Sequence, residues 1–284
     1  MTDDPSSGNP REQPWFGSFP VPDPEGHKHD RGHAVVLAGR RHATGAARLA
    51  AGAALRSGAG LVTVLAEPSA ADIVAAHVTA VMVGVVREGR WQAALDGMAP
   101  AAVALGSGLA PNENTRAMVR AALATNAPTI LDAGALTAWA DDPNALFALI
   151  RERAAPTVMT PHAGEFRRLF GDIPHERATW RSGATVIAKG PETVIASPNG
   201  TARSSRHGPP WLATAGTGDV LAGLVCGLLA QGMAPAEAGE AAVWLQGEAA
   251  RRLGPGMTAD DLDNALRPVM GDVVLARIGA ARGS

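Results

Sequence analysis

From His33 onward, short apolar runs rich in β-branched residues alternate with longer alanine-rich runs, and this rhythm limits the folds open to the chain. HAVVLAG (33–39), GLVTVLA (60–66), AAVALGSG (101–108), PTILDAG (128–134) and TVMTPHAGE (157–165) read as buried strands. GAARLAAGAALRSG (45–58), NENTRAMVRAALATN (112–126), DVLAGLVCGLLAQG (219–232), APAEAGEAAVWLQGEAARRLG (234–254) and TADDLDNALRPVM (258–270) read as helices. Strands apolar on both faces belong in a parallel sheet covered by helices on both sides. A tight KGPE turn joins ATVIAKG to ETVIASPNG (184–200), which predicts an antiparallel hairpin at one edge. The expected architecture is a three-layer α/β/α sandwich with a mostly parallel central sheet and that edge hairpin.

No internal repeat and no splitting linker interrupts the pattern, so one domain is expected over 27–284. Residues 1–26 hold six prolines and few aliphatics, which predicts a mobile arm whose removal over 1–24 leaves the fold intact. Trp15, Phe16 and Phe19 are the residues that would instead pin it to the body or to a neighbouring subunit.

Composition narrows the function classes. The chain has 284 residues and is 46% hydrophobic and 18% charged, enough for a large core. Its net charge of -2 argues against broad electrostatic binding of nucleic acid or anionic membrane. With no tyrosine and only 4% aromatics, stacking platforms for single strands are hard to build. One cysteine excludes an intramolecular disulfide framework and a Cys-rich zinc module. No apolar stretch reaches the roughly 18 residues of a membrane span, and MTDDPSSGNPREQP lacks the basic and apolar regions of a leader. A cytoplasmic location is expected.

Ligands of open α/β sheets bind beyond the carboxyl ends of the strands. Gly39, Gly106, Gly108, Asp132, His162 and Lys189 all stand where strands stop. The most informative segment is ATAGTGDVLAGLVCGLLAQG (213–232). There Gly216, Thr217 and Gly218 run into a helix at Asp219. Exposed N–H groups at a helix start attract anions. Asp219 is then either a helix-terminal charge or a base that abstracts a hydroxyl proton while those N–H groups hold phosphate. The glycine spacing does not fit the dinucleotide fingerprint, and no Walker A sequence exists. Glu165, after His162, either gains from a helix dipole or helps hold a metal. Lys189 is either the mouth of a hairpin or a point charge on phosphates. His27, His29 and His33 lack the companions of a metal site, and Cys226 reads as a buried, inert thiol.

Taken together, these segments resemble the ADP-dependent NAD(P)H-hydrate dehydratases of the ribokinase-like superfamily. The resemblance runs from about His27 to Met270. GAALRSGAGLVTV, TPHAGE and ATAGTGDVLAG in that order are its specific part. It implies ADP-dependent repair of hydrated NADH and NADPH (NADHX and NADPHX): phosphorylation of the hydrate hydroxyl, then expulsion of phosphate. It implies Asp219 as base, Gly216, Thr217 and Gly218 as anion hole, and Lys189, Gly190, Pro191, Glu192 and Thr193 along the nucleotide phosphates. Ala46, Gly108 and His162 would contact the hydrated dinucleotide together with Asp219. Mg2+ would accompany the phosphates, no protein metal ligand is implied, and the assembly would be a homotetramer. The chain departs from the family pattern in four places. GRRHATGA carries Arg40, Arg41 and His42 where a Gly-Ser pair and an aromatic are usual. LDAGAL has Gly134 in place of an acid. GSGLA replaces Gly-Pro-Gly-Leu-Gly. The stretch 173–182 is short, with room for a turn or two of helix. Two other readings stand beside repair: a nucleotide binder without turnover, and an ATP-dependent kinase of a small alcohol.

Overall fold

The structure is a computed structural model that describes residues 8–87 and 89–282. Its nine strands are β1 His33–Leu37, β2 Leu61–Ala66, β3 Met82–Val85, β4 Ala102–Leu105, β5 Thr129–Leu131, β6 Thr157–Met159, β7 Thr185–Ala188, β8 Thr193–Ala196 and β9 Ala202–Ser205. They form one sheet in the order β3-β2-β1-β4-β5-β6-β7-β8-β9. Every pairing from β3 to β7 is parallel, and β8 and β9 add antiparallel to β7. The expected sandwich with an antiparallel edge is therefore present, one strand longer than the hairpin read from sequence. β3 and β9 carry no apolar alternation: β3 is a glycine-interrupted edge strand, and β9 (ARSS) is polar.

Side chains alternate along the strands, so each strand feeds two cores. Ala34 and Val36 of β1, with Ala102 and Ala104 of β4, face α1 (Thr44–Arg56), α2 (Pro68–Ala75), α9 (Thr217–Ala230), α10 (Pro235–Leu253) and α11 (Ala259–Arg282). Val35, Leu37, Val103 and Leu105 face the opposite layer. That layer comprises α3 (Trp91–Met98), α4 (Glu113–Leu123), α5 (Ala133–Thr137), α6 (Pro143–Arg151), α7 (Ala163–Phe170) and α8 (His175–Ser182). The short stretch 173–182 thus forms α8, which buries Ala178, Thr179 and Ser182 and covers β7 and β8.

Small residues let α9 press onto α1. A Cβ on Gly223 would stand 2.1 Å from the carbonyl oxygen of Ala50, inside van der Waals contact. Gly223→Ala is therefore expected to destabilise the fold by about 1–3 kcal/mol through overpacking, measured as a lower urea midpoint. An unchanged midpoint would mean that the two helices separate freely.

The N-terminal segment is not the mobile arm expected over its whole length. Residues Pro10–Glu12 and Pro14–Ser18 form short 3-10 turns. Trp15 is completely buried, edge-on to Trp244 of α10 at 5.6 Å and 5.4 Å from the ring of Phe19. The Arg277 guanidinium of α11 lies 5.4 Å over Phe16. These apolar rings have no other way to leave water, and they override the Pro-rich composition around them. Residues 1–7 of the expected arm lie outside the described residues.

Candidate active site

The site is built where β4, β5, β6 and β7 end and α9 begins. Gly216 stands at the N-cap of α9 with φ 90°, a left-handed conformation that suits glycine, and no side chain caps the helix. The first N–H groups of α9 therefore have no helical acceptor and point outward at the positive end of the helix. Thr217 anchors the turn: its hydroxyl donates to the carbonyls of Leu212 and Thr214, both at 2.9 Å. Gln246 of α10 donates to the Thr217 carbonyl at 2.6 Å.

Lys189, just past β7, reaches across to Asp132, just past β5, with Nζ 2.7 Å from Oδ1. Asp132 is buried, and the Thr160 hydroxyl donates to the same oxygen at 2.7 Å. Nζ of Lys189 also lies 3.2 Å from where a Cβ on Gly218 would stand, so the ammonium sits against the first turn of α9. Ser107, just past β4, has its hydroxyl 3.5 Å from Asp132 Oδ2. Asp219 completes the group. Burial pushes its carboxyl above the usual carboxylate range. A hydrogen bond from Ser107 opposes that rise, the negative Asp132 adds to it, and Lys189 offsets part of it. Two carboxylates and one ammonium thus converge on an uncapped helix start. Such a group can hold an anion and take a proton beside it.

A cavity of about 540 Å³ opens from this cluster. Lys189, Gly190, Pro191, Thr193, Thr217 and Gly218 line it, along with Gln246 and the 208–213 loop. This brings together most of the residues expected along a nucleotide. Glu192 departs from that grouping. It is not in the lining, and Arg206 holds it at the surface with bonds of 2.6 and 3.1 Å. A hydrogen bond from Ser204, then Arg206, keeps its carboxyl below the usual range. The ion pair with Arg206 is what holds this carboxylate away from the cavity.

His162 is the N-cap of α7. Its Nδ1 accepts from the N–H groups of Gly164 and Glu165, and the buried Glu165 carboxylate accepts the His162 N–H at 2.9 Å. Glu165 is therefore a capping-box partner. A backbone bridge to Lys189 puts His162 at the rim of the cluster, its side chain 55% exposed. Ala46 lies in the first turn of α1. The side chain of the neighbouring Leu49 approaches to 2.8 Å from a Cβ position on Gly216. Gly108 touches Gly39 and Ala43 on the same side.

The departure at Gly134 is a packing matter. A Cβ there would stand 2.2 Å from the Leu109 carbonyl oxygen and 3.0 Å from that of Gly106. The GSGLA turn lies directly on Gly134, and the carboxylate that meets Lys189 comes from Asp132. Sequence reading noted Asp132 as a strand-end residue without assigning it a partner. Thr160 opens the TPHAGE motif, but nothing local points its hydroxyl at Asp132, and Gln246 lies in no motif.

Among the described residues, no group of three or more His, Cys, Asp or Glu side chains could hold a metal ion. His27 and His29 stack on each other at 5.1 Å, and His33 bonds Thr63 at 2.8 Å. Cys226 is fully buried, and burial pushes its thiol up to about 12, as fits an inert packing residue.

Comparison with known proteins places the chain in a family. The family model for NAD(P)H-hydrate dehydratase matches residues 34–267. A bifunctional NAD(P)H-hydrate repair enzyme of Mycobacterium tuberculosis is 38% identical over 233 residues, covering 78% of this chain and 45% of that protein. The chain spans about half the length of such bifunctional relatives. An ADP-dependent (S)-NAD(P)H-hydrate dehydratase of Xanthomonas campestris is 36% identical over 244 residues, 79% of this chain and 80% of that one. The structure of an ADP/ATP-dependent NAD(P)H-hydrate dehydratase from Bacillus subtilis, co-crystallised with ATP and Mg2+, superposes with a TM-score of 0.80. It is 28% identical, and the match covers 93% of this chain and 97% of that one. The family match over most of the sheet and all of the α9 turn leads to one conclusion: this chain belongs to the NAD(P)H-hydrate dehydratase family.

Proposed function

We propose that this chain repairs hydrated NADH and NADPH, using ADP to phosphorylate the hydrate hydroxyl and then eliminating phosphate. The observation that carries the reading is Asp219, raised by burial beside Lys189 and Asp132, at an uncapped helix start that opens into a cavity of about 540 Å³.

In this reading the Asp219 carboxylate takes the proton of the hydrate hydroxyl. The oxygen attacks the terminal phosphorus of ADP, whose bond to the bridging oxygen breaks. The N–H groups of Gly216, Thr217 and Gly218 hold the transferred phosphoryl oxygens where charge develops. Lys189 neutralises the nucleotide phosphates from the other side, and Asp132 and Thr160 fix the reach of its ammonium. Loss of phosphate from the ring carbon, with a proton from the neighbouring carbon, restores the double bond. Gly190, Pro191 and Thr193 border the nucleotide, while Ala46, Gly108 and His162 border the dinucleotide.

Magnesium would arrive on the nucleotide, where it offsets phosphate charge. The chemistry of the donor set fits: Asp132 and Asp219 offer carboxylate oxygens beside the phosphate position, but no complete cage.

The remaining expectations belong to the same proposal. A homotetramer, as the family resemblance implies, would cover the exposed Met82 and Val85 on the edge strand β3 and the exposed Trp180 on α8. A cytoplasmic setting is supported by the single cysteine. Among the described residues, no helix is long and apolar enough to cross a membrane.

A base must be ionised, so turnover is expected to fall on acidification at a pH above the usual carboxylate range, because burial raises Asp219. A pH–rate profile of kcat/KM checks this. An acid limb at the ordinary aspartate value would mean that Asp219 is solvated in the working enzyme. The reading itself is tested by recovery of the dihydronicotinamide absorbance when hydrated NADH is supplied with ADP and Mg2+.

A further inference from the structure

The sheet reverses its winding between β1 and β4. The chain leaves β1 through α1 toward β2 and β3 on one side, and β4 continues to β5 on the other. Loops that leave adjacent strands in opposite directions frame a crevice, the preferred ligand position of an open α/β sheet. Here the crevice lies between the loop 40–43 after β1 and the turn 106–108 after β4. The two touch: a Cβ on Gly108 would stand 2.5 Å from the Ala43 carbonyl oxygen. Through Ser107 the same turn reaches Asp132.

This crevice is edged by basic side chains. Arg40, Arg41 and His42 are exposed, and the hydrogen bond from the Ala43 N–H to the Arg40 carbonyl, at 2.8 Å, closes their loop. Arg48, one turn into α1, folds back toward the helix start, as helical side chains do. Its Nη2 lies 3.9 Å from a Cβ position on Gly45, and its Nε is buried with no hydrogen-bond partner. The first turn of α1 has no acidic residue and no side-chain cap. Some guanidinium groups of the chain meet acids, Arg56 with Asp263, Arg206 with Glu192 and Arg252 with Glu248 and Asp272, while others, such as the exposed Arg167, Arg168 and Arg177 on α7 and α8, do not. The guanidinium groups of Arg40, Arg41 and Arg48 have no such partner among the described residues. Three unpaired guanidinium groups and an uncapped helix start at one crevice, in a chain of net charge -2, form a site for a multiply charged anion.

We infer that Arg40, Arg41 and Arg48 hold a phosphate group of the dinucleotide substrate. The inference rests on the function proposed above and names a binding determinant within it. The anion is one of two phosphates of the same ligand class: the bridging diphosphate, common to both hydrates, or the 2′-phosphate, carried only by hydrated NADPH.

The test uses the full chain and its R40A/R41A variant, whose replaced side chains are exposed and whose fold is followed by melting temperature. kcat/KM is measured with hydrated NADH and with hydrated NADPH. The same two proteins are titrated with NAD+ and NADP+, which reads the site without turnover. Removing charge-assisted hydrogen bonds is expected to lower kcat/KM at least about tenfold at low salt, with the difference shrinking as salt is added. The KM for ADP stays the same. Loss confined to hydrated NADPH and NADP+ assigns the 2′-phosphate. Equal loss with both dinucleotides assigns the diphosphate. Unchanged kcat/KM and unchanged affinity for both dinucleotides overturn the inference. A wild-type protein that turns over neither hydrate yet binds the dinucleotides through these arginines would sink the proposed function and leave this inference standing.

Discussion

Asp219→Asn is expected to lower turnover of hydrated NADH by about 10²–10⁴-fold, the usual worth of a general base, while nucleotide binding survives. The amide keeps the shape of the side chain but accepts no proton. The anion hole is made by backbone, so ADP still raises the melting temperature of the variant. The stability effect has a definite sign. A carboxyl whose value is raised in the folded state stabilises the fold at low pH and loses that contribution as pH rises through the raised value. At neutral pH the ionised, largely buried Asp219 therefore weighs against folding, and the amide variant should melt at the same temperature or higher. The neighbouring Asp132→Asn should behave differently, because it removes the buried partner of Lys189 and lowers stability along with activity. Turnover of Asp219→Asn within about twofold of wild type would remove Asp219 from the role of base.

Trp15→Ala is expected to cost about 3–5 kcal/mol of stability, the usual range for deleting a large buried aromatic. Trp15 is wholly enclosed, and its removal would strip Trp244 and Phe19 of their packing partner. Deletion of residues 1–24 removes Trp15, Phe16 and Phe19 at once and uncovers α10 and α11. The truncated chain should accumulate as aggregate or show a melting temperature many degrees lower. A truncated chain that melts like the full one would show that this segment packs without contributing to stability.

The strands β1, β2, β4 and β7 were legible because buried parallel strands are continuous apolar runs, and α9 and α10 because long alanine- and leucine-rich stretches have no other use. β3 and β9 were not, since an edge strand owes its conformation to pairing on one side and carries little pattern of its own. Gly216 to Asp219 was legible because its chemistry is local: glycines, then an acid at a helix start. The Asp132–Lys189 pair was not, because the two residues are 57 positions apart and meet only through the order β5-β6-β7. Gln246 escaped for the same reason, reaching Thr217 from α10. Composition alone points to a mobile arm, whereas Trp15, Phe16 and Phe19, the residues able to pin it, pack into the core. The family resemblance places Glu192 with its neighbours along the nucleotide, whereas its side chain meets Arg206 outside the cavity lining, because successive residues of a turn face different ways.

The most direct test of the account is to incubate the purified protein with hydrated NADH, Mg2+ and either ADP or ATP and to follow the dihydronicotinamide absorbance. The account predicts recovery with ADP, formation of AMP in step with it, and loss of both in Asp219→Asn. No recovery with either nucleotide, from a protein that binds ADP and is correctly folded, would contradict it.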